Sequence, residues 1–384
     1  MNHVVIVGCG VIGAAIAYEL SRVPELKVTV IDKHSPASAA TKAALGVLMG
    51  VISHKIKGKA WQMREASIQR YETLIPELEA LTGHQIPFNR QGILMLLPRD
   101  EASNEIENLA FWEKLVTTRA SQGWQLEIWD AAQIKSRCPQ INCEKIQAAV
   151  YSPQDRQVDP LSLTLALVEA AKRNGVTFHF GATVAGYNFS STSNRQQCVR
   201  QIQLKSSGES QPIEQNVDWL VMATGLGTPQ FLRELGAQIV DIKPVLGQAI
   251  HLKLDRPLGD PDFQPAISGN DVHIVPCGAG TQATDYWVGA TVEFAPQPNI
   301  LAAAPLDDVL QHAIAFCPAL AEATVVRTWS GLRPRPEGRP APVIGPLPGY
   351  DNVLLATGHY RNGVLLAPAT AQIIRQMVTS FTNG

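Results

Sequence analysis

The 384-residue sequence predicts an architecture of α/β plus α+β class, in which a parallel-sheet domain is joined to a largely antiparallel one. A strand–helix–strand pattern opens the chain, and a strand followed by a helix closes it. Alternating β segments fill most of residues 243–330. A chain of this length exceeds one ordinary core, and α/β character at both ends predicts that the first domain is discontinuous. We place the first domain at residues 1–85, 145–235 and 335–384, and the second at 86–144 and 236–334.

The individual elements follow from the spacing of apolar residues and from stop signals such as Gly83. The opening unit is predicted at Val4–Val7, Val11–Arg22 and Lys27–Ile31. The other predicted helices are Ala60–Thr82, Glu101–Gln122, Leu161–Arg173, Leu306–Phe316 and Gly363–Val378. The other predicted strands are Gly92–Leu97, Val176–Phe180, Val199–Leu204, Asp218–Ala223, Gln248–Leu254, Val272–Val275, Tyr286–Val292, Thr324–Trp329 and Val353–Ala356.

Composition is typical of a globular enzyme and excludes several classes of partner. Apolar residues make up 45% of the chain, charged residues 17%, and the formal net charge is −2. This charge provides no electrostatic basis for binding nucleic acid or an anionic membrane. The stretch from Val4 to Tyr18 is uncharged and mostly apolar, but it is shorter than the ~20 residues of a membrane span, so we expect a cytoplasmic protein. The six cysteines show neither Cys-x-x-Cys nor zinc-ligand spacing, and we predict no metal site.

A glycine-rich turn lies between the first strand and the first helix, running from Gly8 to Gly13 as Gly-Cys-Gly-Val-Ile-Gly. Such glycines permit a tight turn, close approach of a pyrophosphate, and close packing of the helix on the strand. The helix N-terminus adds N–H groups and a positive dipole end. Asp32 closes the second strand, where a carboxylate accepts hydrogen bonds from an adenosine ribose and disfavours a 2′-phosphate. The pattern predicts a Rossmann-type dinucleotide site.

Two further strands end in Ala-Thr-Gly, at Leu220–Gly225 and Leu354–Gly358. The second leads through residues 359–362 into a late helix that begins at Gly363. A ligand reached by the first and the last βα turns of the chain must be long, which favours FAD over NAD. The N-terminus of the late helix would also stabilise the negative charge that reduced flavin carries around N1 and the C2 carbonyl.

These motifs resemble the D-amino-acid oxidase superfamily of FAD-dependent oxidoreductases, and within it the glycine oxidases of thiamine biosynthesis. The resemblance runs from Val4 to about Met377. It is most specific in three stretches, which are Gly331-Leu332-Arg333-Pro334, the Pro-Val-Ile-Gly of residues 342–345, and residues 356–370. Weaker similarities lie at Ala43–Leu48, Val158–Pro160, Pro244–Gln248 and Gly289–Thr291.

The resemblance implies a glutathione-reductase-like domain with non-covalently bound FAD, in which Val184 contacts the adenine through its backbone. Arg333 would bind the substrate carboxylate. The predicted catalytic residues, which the resemblance places around the substrate, are Arg333, Arg361, Tyr360 and His273. The predicted cofactor-binding residues, from the motifs and the resemblance together, are Gly8, Gly10, Val11, Ile12, Gly13, Asp32, Lys33, Ala44, Gly46, Val184, Ala223, Thr224, Gly225, Gly358, His359, Tyr360, Arg361, Asn362, Gly363 and Val364.

Three features depart from the resemblance. Asp32 replaces the commoner Glu, a change that FAD can accommodate. His273 stands where the glycine oxidases carry a substrate-site Tyr before Ile-Val-Pro, and Asp271 precedes it by two residues. The segment Cys277–Asp285 also predicts a differently shaped loop near the same site. These departures bear on the identity of the substrate more than on the chemistry.

The candidate side chains also have structural interpretations. Arg333 lies between a glycine and two prolines, and its planar fork matches a carboxylate, but it could instead bond loop carbonyls. Arg361 could simply face solvent at a helix entry. His359 could tune the flavin or satisfy local backbone groups, and His273 could be a half-buried core residue.

The predicted reaction is oxidation of the C–N bond of a small amino acid or secondary amine that carries a carboxylate. A hydride would pass from Cα to flavin N5, and water would hydrolyse the imine to an oxo acid and ammonia. Dioxygen as the acceptor would yield hydrogen peroxide, and an oxidase is the preferred interpretation. The alternatives are a dehydrogenase of a secondary amine or 2-hydroxy acid that uses a quinone or another acceptor, and an inactive flavoprotein subunit. A homo-oligomer is compatible with the sequence.

Overall fold

The computed structural model describes residues 2–99, 109–191, 196–206, 211–238, 240–277, 284–294 and 303–380. Within these ranges the helices are α1 (Val11–Ser21), α2 (Ala40–Ala43), α3 (Gly58–Thr82), α4 (Leu109–Ser121), α5 (Ala131–Arg137), α6 (Pro160–Arg173), α7 (Thr228–Leu235), α8 (Ala303–Phe316) and α9 (Gly363–Ser380). The strands are β1 (Asn2–Val7), β2 (Leu26–Asp32), β3 (Val47–Leu48), β4 (Phe88–Asn89), β5 (Ile93–Pro98), β6 (Glu127–Trp129), β7 (Ile146–Ser152), β8 (Arg156–Val158), β9 (Thr177–Phe180), β10 (Ala182–Ser191), β11 (Gln197–Ser206), β12 (Ile213–Asn216), β13 (Trp219–Met222), β14 (Ile242–Lys253), β15 (Ala266–Gly269), β16 (Val272–Pro276), β17 (Asp285–Gly289), β18 (Glu293–Phe294), β19 (Thr324–Pro336), β20 (Val343–Pro346) and β21 (Val353–Thr357).

A six-stranded sheet has the order β20-β21-β13-β1-β2-β9. Its pairs are parallel, except that β20 runs antiparallel to β21. Helix α1 packs against both α6 and α9, and the sheet is covered on both faces, which explains the continuous apolar runs of β1, β13 and β21. Because the carboxyl ends of parallel strands meet at one edge, the turns after β1, β13 and β21 lie together there.

A nine-stranded sheet has the order β18-β14-β17-β16-β15-β5-β7-β6, and β19 pairs with the other side of β14. The pair β15–β5 is parallel, and the other described pairs of this sheet are antiparallel. Helix α8 packs on β14, β16 and β17 over an apolar core. The predicted combination of a parallel-sheet half and a largely antiparallel half is confirmed.

The division of the chain between the two large sheets is discontinuous. Helix α9 and β21 pack with α1, β1 and β13, so the end of the chain joins its beginning. Strand β7 pairs with β5 and β6, so sheet membership puts residues 146–152 with the antiparallel half, one element beyond the boundary that we placed at 145. The domain boundaries themselves stay a prediction.

Several predicted elements differ from the structure in length. The strand predicted at Gln248–Leu254 begins six residues earlier, at Ile242, and the strand predicted at Tyr286–Val292 ends at Gly289. The helix predicted at Glu101–Gln122 is described from Leu109, and residues 100–108 lie outside the described ranges. The strand predicted to end at Trp329 continues to Pro336, because β19 pairs with β14 along its whole length. An edge strand tolerates proline, whose missing N–H costs no ladder hydrogen bond on the open side. Arg333 therefore lies on a strand.

Two buried charges hold the loop of residues 50–55, which follows β3. The Asp155 carboxylate accepts hydrogen bonds from the N–H groups of residues 50, 51 and 52, each at 2.8 Å. Arg119 donates to the carbonyls of Val51, Ser53 and Lys55 at 2.6–3.0 Å. Its guanidinium also lies 3.6 Å from the ring centroid of Trp61. The loop is thus bonded through its donors to an acid and through its acceptors to an arginine.

The apolar stretch from Val4 to Tyr18 forms most of β1 and the first two turns of α1. Across the described parts of the chain, every helix falls short of the combined length and apolarity that a membrane crossing requires. The same parts contain no group of three or more His, Cys, Asp or Glu side chains placed to hold a metal ion.

Candidate active site

The glycine-rich turn after β1 is closely packed against its neighbours. A side chain at Gly13 would overlap the carbonyl oxygen of Gly8, and one at Gly8 would overlap the carbonyl of Ala223. Gly8 has φ +103°, a conformation that favours glycine. Gly10 caps α1 without any side-chain hydrogen bond, and no acidic residue lies in the first turn. The N–H of Val11 is bonded to the Thr41 side chain, so the N–H groups of Ile12 and Gly13 are those that the start of α1 can offer to an external anion.

Asp32 lies at the end of β2 with its carboxylate turned toward the glycine turn. It accepts hydrogen bonds from the N–H of Cys9 at 2.6 Å and of His34 at 2.8 Å. These two donors fix the orientation of the carboxylate, whose remaining lone pairs can accept ribose hydroxyls. Thr41, on α2, accepts from the N–H of Val11 at 3.0 Å and so ties α2 to the same turn.

Three threonines connect the two Ala-Thr-Gly turns. Thr228 shares hydrogen bonds with Thr224 at 2.9 Å and with Thr357 at 2.8 Å. The turn glycines, Gly225 and Gly358, have φ of +52° and +66°. The repeated motif thus places two equivalent turns side by side, at the edge where the turn after β1 also ends.

The segment after β21 places its side chains in different surroundings. His359 is buried, its Nε2 lies 2.9 Å from Thr370 Oγ1, and burial lowers its pKa to about 3. Tyr360 has φ +52°, and a short turn through Asn362 leads into α9 at Gly363. The carbonyl of Val364 accepts a hydrogen bond from the buried Tyr71 hydroxyl at 2.5 Å. The imidazole of His359 therefore pairs inside the protein, with Thr370.

The other predicted cofactor-binding residues lie around the same edge. Lys33 is exposed directly after β2, whereas Ala44 and Gly46 follow α2. Gly46 has φ +76° and is packed against the Val158 carbonyl. Val184 is buried in β10, in the same apolar cluster as residues of β1 and β2.

Arg333 is half-buried on β19, facing β14. Its Nη1 donates to the carbonyls of Leu246 at 3.1 Å and Thr291 at 3.0 Å. A side chain at Gly247 would overlap its guanidinium. The pKa of Arg333 is lowered, first by burial and then by the positive charge of Arg361. No carboxylate of the described chain lies within ion-pair distance of Arg333, so the cation is partly desolvated without an anion.

His273 lies on β16, with Ser268 of β15 and Gly289 of β17 as its cross-strand neighbours. Its Nδ1 is shielded from solvent, and no described residue accepts from it or donates to it. Burial lowers the pKa of His273 to about 4, and the charges of Arg361 and Arg333 act in the same direction. The imidazole is therefore neutral near pH 7, with one unpaired polar atom.

Arg361 pairs with Asp271, which lies in the turn between β15 and β16. Arg361 Nη2 is 3.1 Å from Asp271 Oδ1, and the two side chains are 35% and 74% exposed. Arg361 thus faces the antiparallel sheet across the edge of the parallel one. The charge of Arg361 lowers the pKa of both His273 and Arg333, and the Tyr360 phenol acts on the pKa of Arg333 in the opposite direction. The four predicted catalytic residues are therefore close enough to interact electrostatically.

Comparison with known proteins identifies the family to which this chain belongs. The model of the DAO family, described as FAD dependent oxidoreductase, matches residues 3–377. The chain belongs to the DAO family of FAD-dependent oxidoreductases. It is therefore an FAD-dependent enzyme, as the sequence predicted.

Three relatives illustrate the similarity. The bifunctional protein ThiO/ThiG of Synechocystis is 31% identical over 380 residues, and the alignment covers 98% of this chain but 51% of that protein. The glycine oxidase of Geobacillus kaustophilus has a crystal structure with a TM-score of 0.82 at 26% identity, covering 99% of this chain and 95% of that one. Hydrogen cyanide synthase subunit HcnC of Pseudomonas protegens is 26% identical over 98% of this chain and 92% of its own length. This chain thus spans about half the length of the ThiO/ThiG relative.

The residues of this DAO-family chain fit FAD. Gly8 and Gly13 allow the close packing of the turn on α1 and on the Ala223 carbonyl that a dinucleotide-binding turn requires. At the start of α1 the Val11 N–H is bonded to Thr41, and the N–H groups of Ile12 and Gly13 are those that could receive a pyrophosphate. Asp32 is oriented for a ribose, and the turns containing Thr224 and Thr357 lie at the same edge as the glycine turn. The individual cofactor contacts stay predictions.

Four residues of the site were not among the site residues that the sequence predicted. Thr41 supports the turn after β1, Gly247 and Thr291 contact Arg333, and Gln248 is bonded to Thr291. Gln248 donates from its N–H to Thr291 Oγ1 at 2.9 Å and from its side chain to Glu293 at 2.9 Å. Segments 244–248 and 289–291 had carried weak family similarity, but only the pairing of β14 with β19 shows what they contact.

Proposed function

We propose that this chain catalyses FAD-dependent oxidation of the C–N bond of a small amino acid or secondary amine that carries a carboxylate. The proposal rests first on Arg333, a half-buried cation that has no carboxylate partner within the described residues. A partly desolvated guanidinium is the preferred partner of a carboxylate, which it binds through two parallel hydrogen bonds. Because Nη1 is held by two carbonyls, the other N–H groups of the fork are the ones that would receive the substrate.

His273 supports the same assignment. A buried polar atom without a partner costs free energy, so the unpaired Nδ1 favours a ligand with a complementary polar group. Its lowered pKa keeps the imidazole neutral near pH 7, so it adds no charge to the two arginines. In the proposed complex Arg333 holds the carboxylate, and His273 orients the amine end of the substrate by a hydrogen bond.

FAD, when bound, supplies the acceptor for the hydride that leaves Cα of the amine. The protein then has to bind and orient a neutral amine, since no further base is required for the chemistry. The name of the similar glycine oxidase favours an amine over a 2-hydroxy acid. The Asp271–Arg361 pair and Tyr360 would close the rim of the site.

The decisive experiment is anaerobic mixing of the purified holoenzyme with a panel of glycine, sarcosine, D-proline, D-alanine and lactate. We expect the visible absorbance of the flavin to bleach with the amines. Glycine and D-alanine should give an oxo acid and ammonia, sarcosine should give an oxo acid and methylamine, and D-proline should give a cyclic imine whose nitrogen stays on the carbon chain. Bleaching by lactate alone would transfer the assignment to a hydroxy-acid dehydrogenase. Bleaching by none of these compounds would refute the proposed substrate class.

The electron acceptor is the second part of the proposal. We propose dioxygen, with hydrogen peroxide as its product, and a dehydrogenase that uses a quinone is the alternative. The relative named hydrogen cyanide synthase subunit, as similar as the glycine oxidase, shows that this level of identity spans differently named enzymes. Admitting air to the bleached enzyme decides between them, because an oxidase regains its colour within seconds and releases peroxide. A cytoplasmic location and a homo-oligomer stay predictions.

A further inference from the structure

We infer that Asp271 is a specificity-determining residue, whose ion pair with Arg361 restricts the site to substrates with a single carboxylate. The inference rests on the proposed function, because it assumes that a carboxylate substrate binds Arg333. The inference is about Arg361, the second cation of the site after Arg333. Arg361 lies close enough to influence both His273 and Arg333, but its charge is already paired with Asp271 at 3.1 Å.

The hairpin between β15 and β16 places Asp271 with little freedom. Asn270 and Asp271 occupy the two central positions of the turn, with φ of +48° and +60°. Two positive φ values are typical of a type I′ turn, in which Asn and Asp are favoured. The turn comes directly before Val272 and His273, so the residue that contacts Arg361 and the residue that faces the substrate are fixed by the same hairpin.

Charge balance shows what this pair does to a substrate. A monocarboxylate on Arg333 neutralises one arginine and leaves the other paired with Asp271. A substrate with a second carboxylate would need Arg361 as its partner and would meet the negative charge of Asp271 there. The second carboxylate of the substrate and the Asp271 carboxylate repel each other, so the substrate has to displace Asp271 before it can pair with Arg361.

The ion pair between Asp271 and Arg361 is also weak enough for a substrate carboxylate to replace Asp271. The Asp271 side chain is 74% exposed, and exposed ion pairs contribute about 0–1 kcal/mol. Removing the Asp271 charge therefore disturbs the fold little, while it frees Arg361 for an anionic group of the substrate. Selectivity at this position should depend on ionic strength, because exposed charges are screened by salt.

The test is the Asp271→Asn variant of the FAD-bound enzyme. Asparagine tolerates positive φ, so the turn is kept while the charge is removed. Binding is measured by titrating the flavin absorbance with acetate and with malonate, which differ by one carboxylate. Turnover is measured with sarcosine and iminodiacetate, which differ in the same way. We expect the preference for the dicarboxylate to rise about five-fold in both measurements at low salt, the shift that an exposed pair of this strength corresponds to.

Two controls isolate the charge of Asp271. Glu169→Gln removes the carboxylate of a similar exposed pair, Glu169–Arg173 at 3.0 Å on α6, and should leave the preference unchanged. The double variant Asp271→Asn with Arg361→Gln should lose the gain, because the freed arginine is what binds the second carboxylate. The gain should also shrink when the salt concentration is raised from about 20 mM to about 500 mM.

The outcomes separate this inference from the proposed function. If no amine bleaches the flavin, the proposed function fails, yet the malonate-to-acetate titration still measures the effect of Asp271. If sarcosine is oxidised and the dicarboxylate preference stays within about two-fold of wild type, Asp271 does not set specificity. An equal change for acetate and malonate, or a change that salt does not reduce, would assign Asp271 a structural role and overturn the inference.

Discussion

The guanidinium of Arg333 lies against the backbone of Gly247, in the space that a side chain at position 247 would occupy. Gly247 is on β14, opposite Gly331 of β19, and Arg333 follows two residues further along β19. The absence of a side chain at Gly247 lets Arg333 fold back onto the partner strand and reach the carbonyls of Leu246 and Thr291. A glycine in one strand thus sets the position of the cation in the next.

Gly247→Ala should weaken carboxylate binding without unfolding the protein. The new methyl group would overlap the guanidinium, which is the mobile end of a flexible side chain and can move away. We expect acetate affinity to fall about ten-fold or more, since a displaced charge-assisted pair costs about 1.5–3 kcal/mol. Flavin titration measures it. Gly186→Ala, a strand glycine of β10 beside the flexible Gln203, is the matched control, and equal affinities in both variants would contradict the prediction.

Replacement of Arg333 should abolish most turnover while FAD stays bound. Removing one member of a desolvated charge pair costs roughly 2–5 kcal/mol, which is a loss in kcat/KM of roughly thirty-fold to several-thousand-fold. Arg333→Lys keeps the charge without the fork and should fall between wild type and Arg333→Ala. Arg335→Ala, which removes the next arginine along β19, should lose far less. Release of FAD from Arg333→Ala, or turnover within about three-fold of wild type, would show that Arg333 has only a structural role, in which it donates hydrogen bonds to backbone carbonyls.

Asp155→Asn should destabilise the protein without removing any substrate contact. One amide oxygen can still accept from the N–H groups of Gly50 and Val51, but the amide NH₂ would face the N–H of Ile52. A buried unsatisfied donor costs about 1–3 kcal/mol, and Asp155→Ala should cost more because all three donors lose their partner. Urea unfolding at saturating FAD measures both variants. Unchanged midpoints would mean that the loop of residues 50–55 is held without the acid.

Local sequence pattern was sufficient to locate the elements that we predict to bind the cofactor. The glycine turn from Gly8 to Gly13, Asp32 and the two Ala-Thr-Gly turns are short motifs whose residues act close to where they stand in the chain. The structure shows the turns of β1, β13 and β21 at one edge, because parallel order follows from alternation of strands and helices. The βαβ opening and the late helix were likewise predicted from apolar spacing.

Long-range pairs were not predictable from the sequence. Asp155 bonds residues about a hundred positions earlier, and Arg119 reaches back to Val51, so neither has a local signature. Gly247 matters only because β14 pairs with β19, and the paired residues of the two strands lie about 85 positions apart in the sequence. The prolines around Arg333 suggested a rigid loop, whereas an open edge allows them in a strand. The predicted loop Cys277–Asp285 lies partly outside the described residues, since 278–283 are not among them.

His273→Tyr should change substrate preference. The imidazole Nδ1 has no partner among the described residues, and a phenol would present its hydroxyl further from the strand. Substrates that differ in size at nitrogen should respond differently, so the relative kcat/KM values of glycine, sarcosine and D-proline should shift. The change in any ratio should be about two-fold to about ten-fold, since a hydrogen bond to a neutral partner contributes about 0.5–1.5 kcal/mol. Identical ratios in both enzymes would place His273 outside the pocket.

Acid should destabilise the protein partly through His359. Its folded-state pKa of about 3 lies below the ordinary 6.5, so between these values the unfolded chain binds a proton that the folded chain does not. The stability contributed by neutral His359 is complete above pH 6.5 and is lost as the pH falls toward 3, by about 1.4 kcal/mol per pH unit. His273 acts in the same direction, down to about 4.

His359→Gln should therefore unfold less steeply with acid. Glutamine can still bond Thr370 but takes up no proton, so near pH 5 the slope of unfolding free energy against pH should fall by about 1.4 kcal/mol per unit. Urea unfolding at several pH values between about 7 and about 4.5, with FAD saturating throughout, measures the slope. The part of the slope that comes from His273 should remain in the variant. A slope equal to that of wild type would mean that His359 is protonated in the folded protein, and that its bond to Thr370 does not keep it neutral.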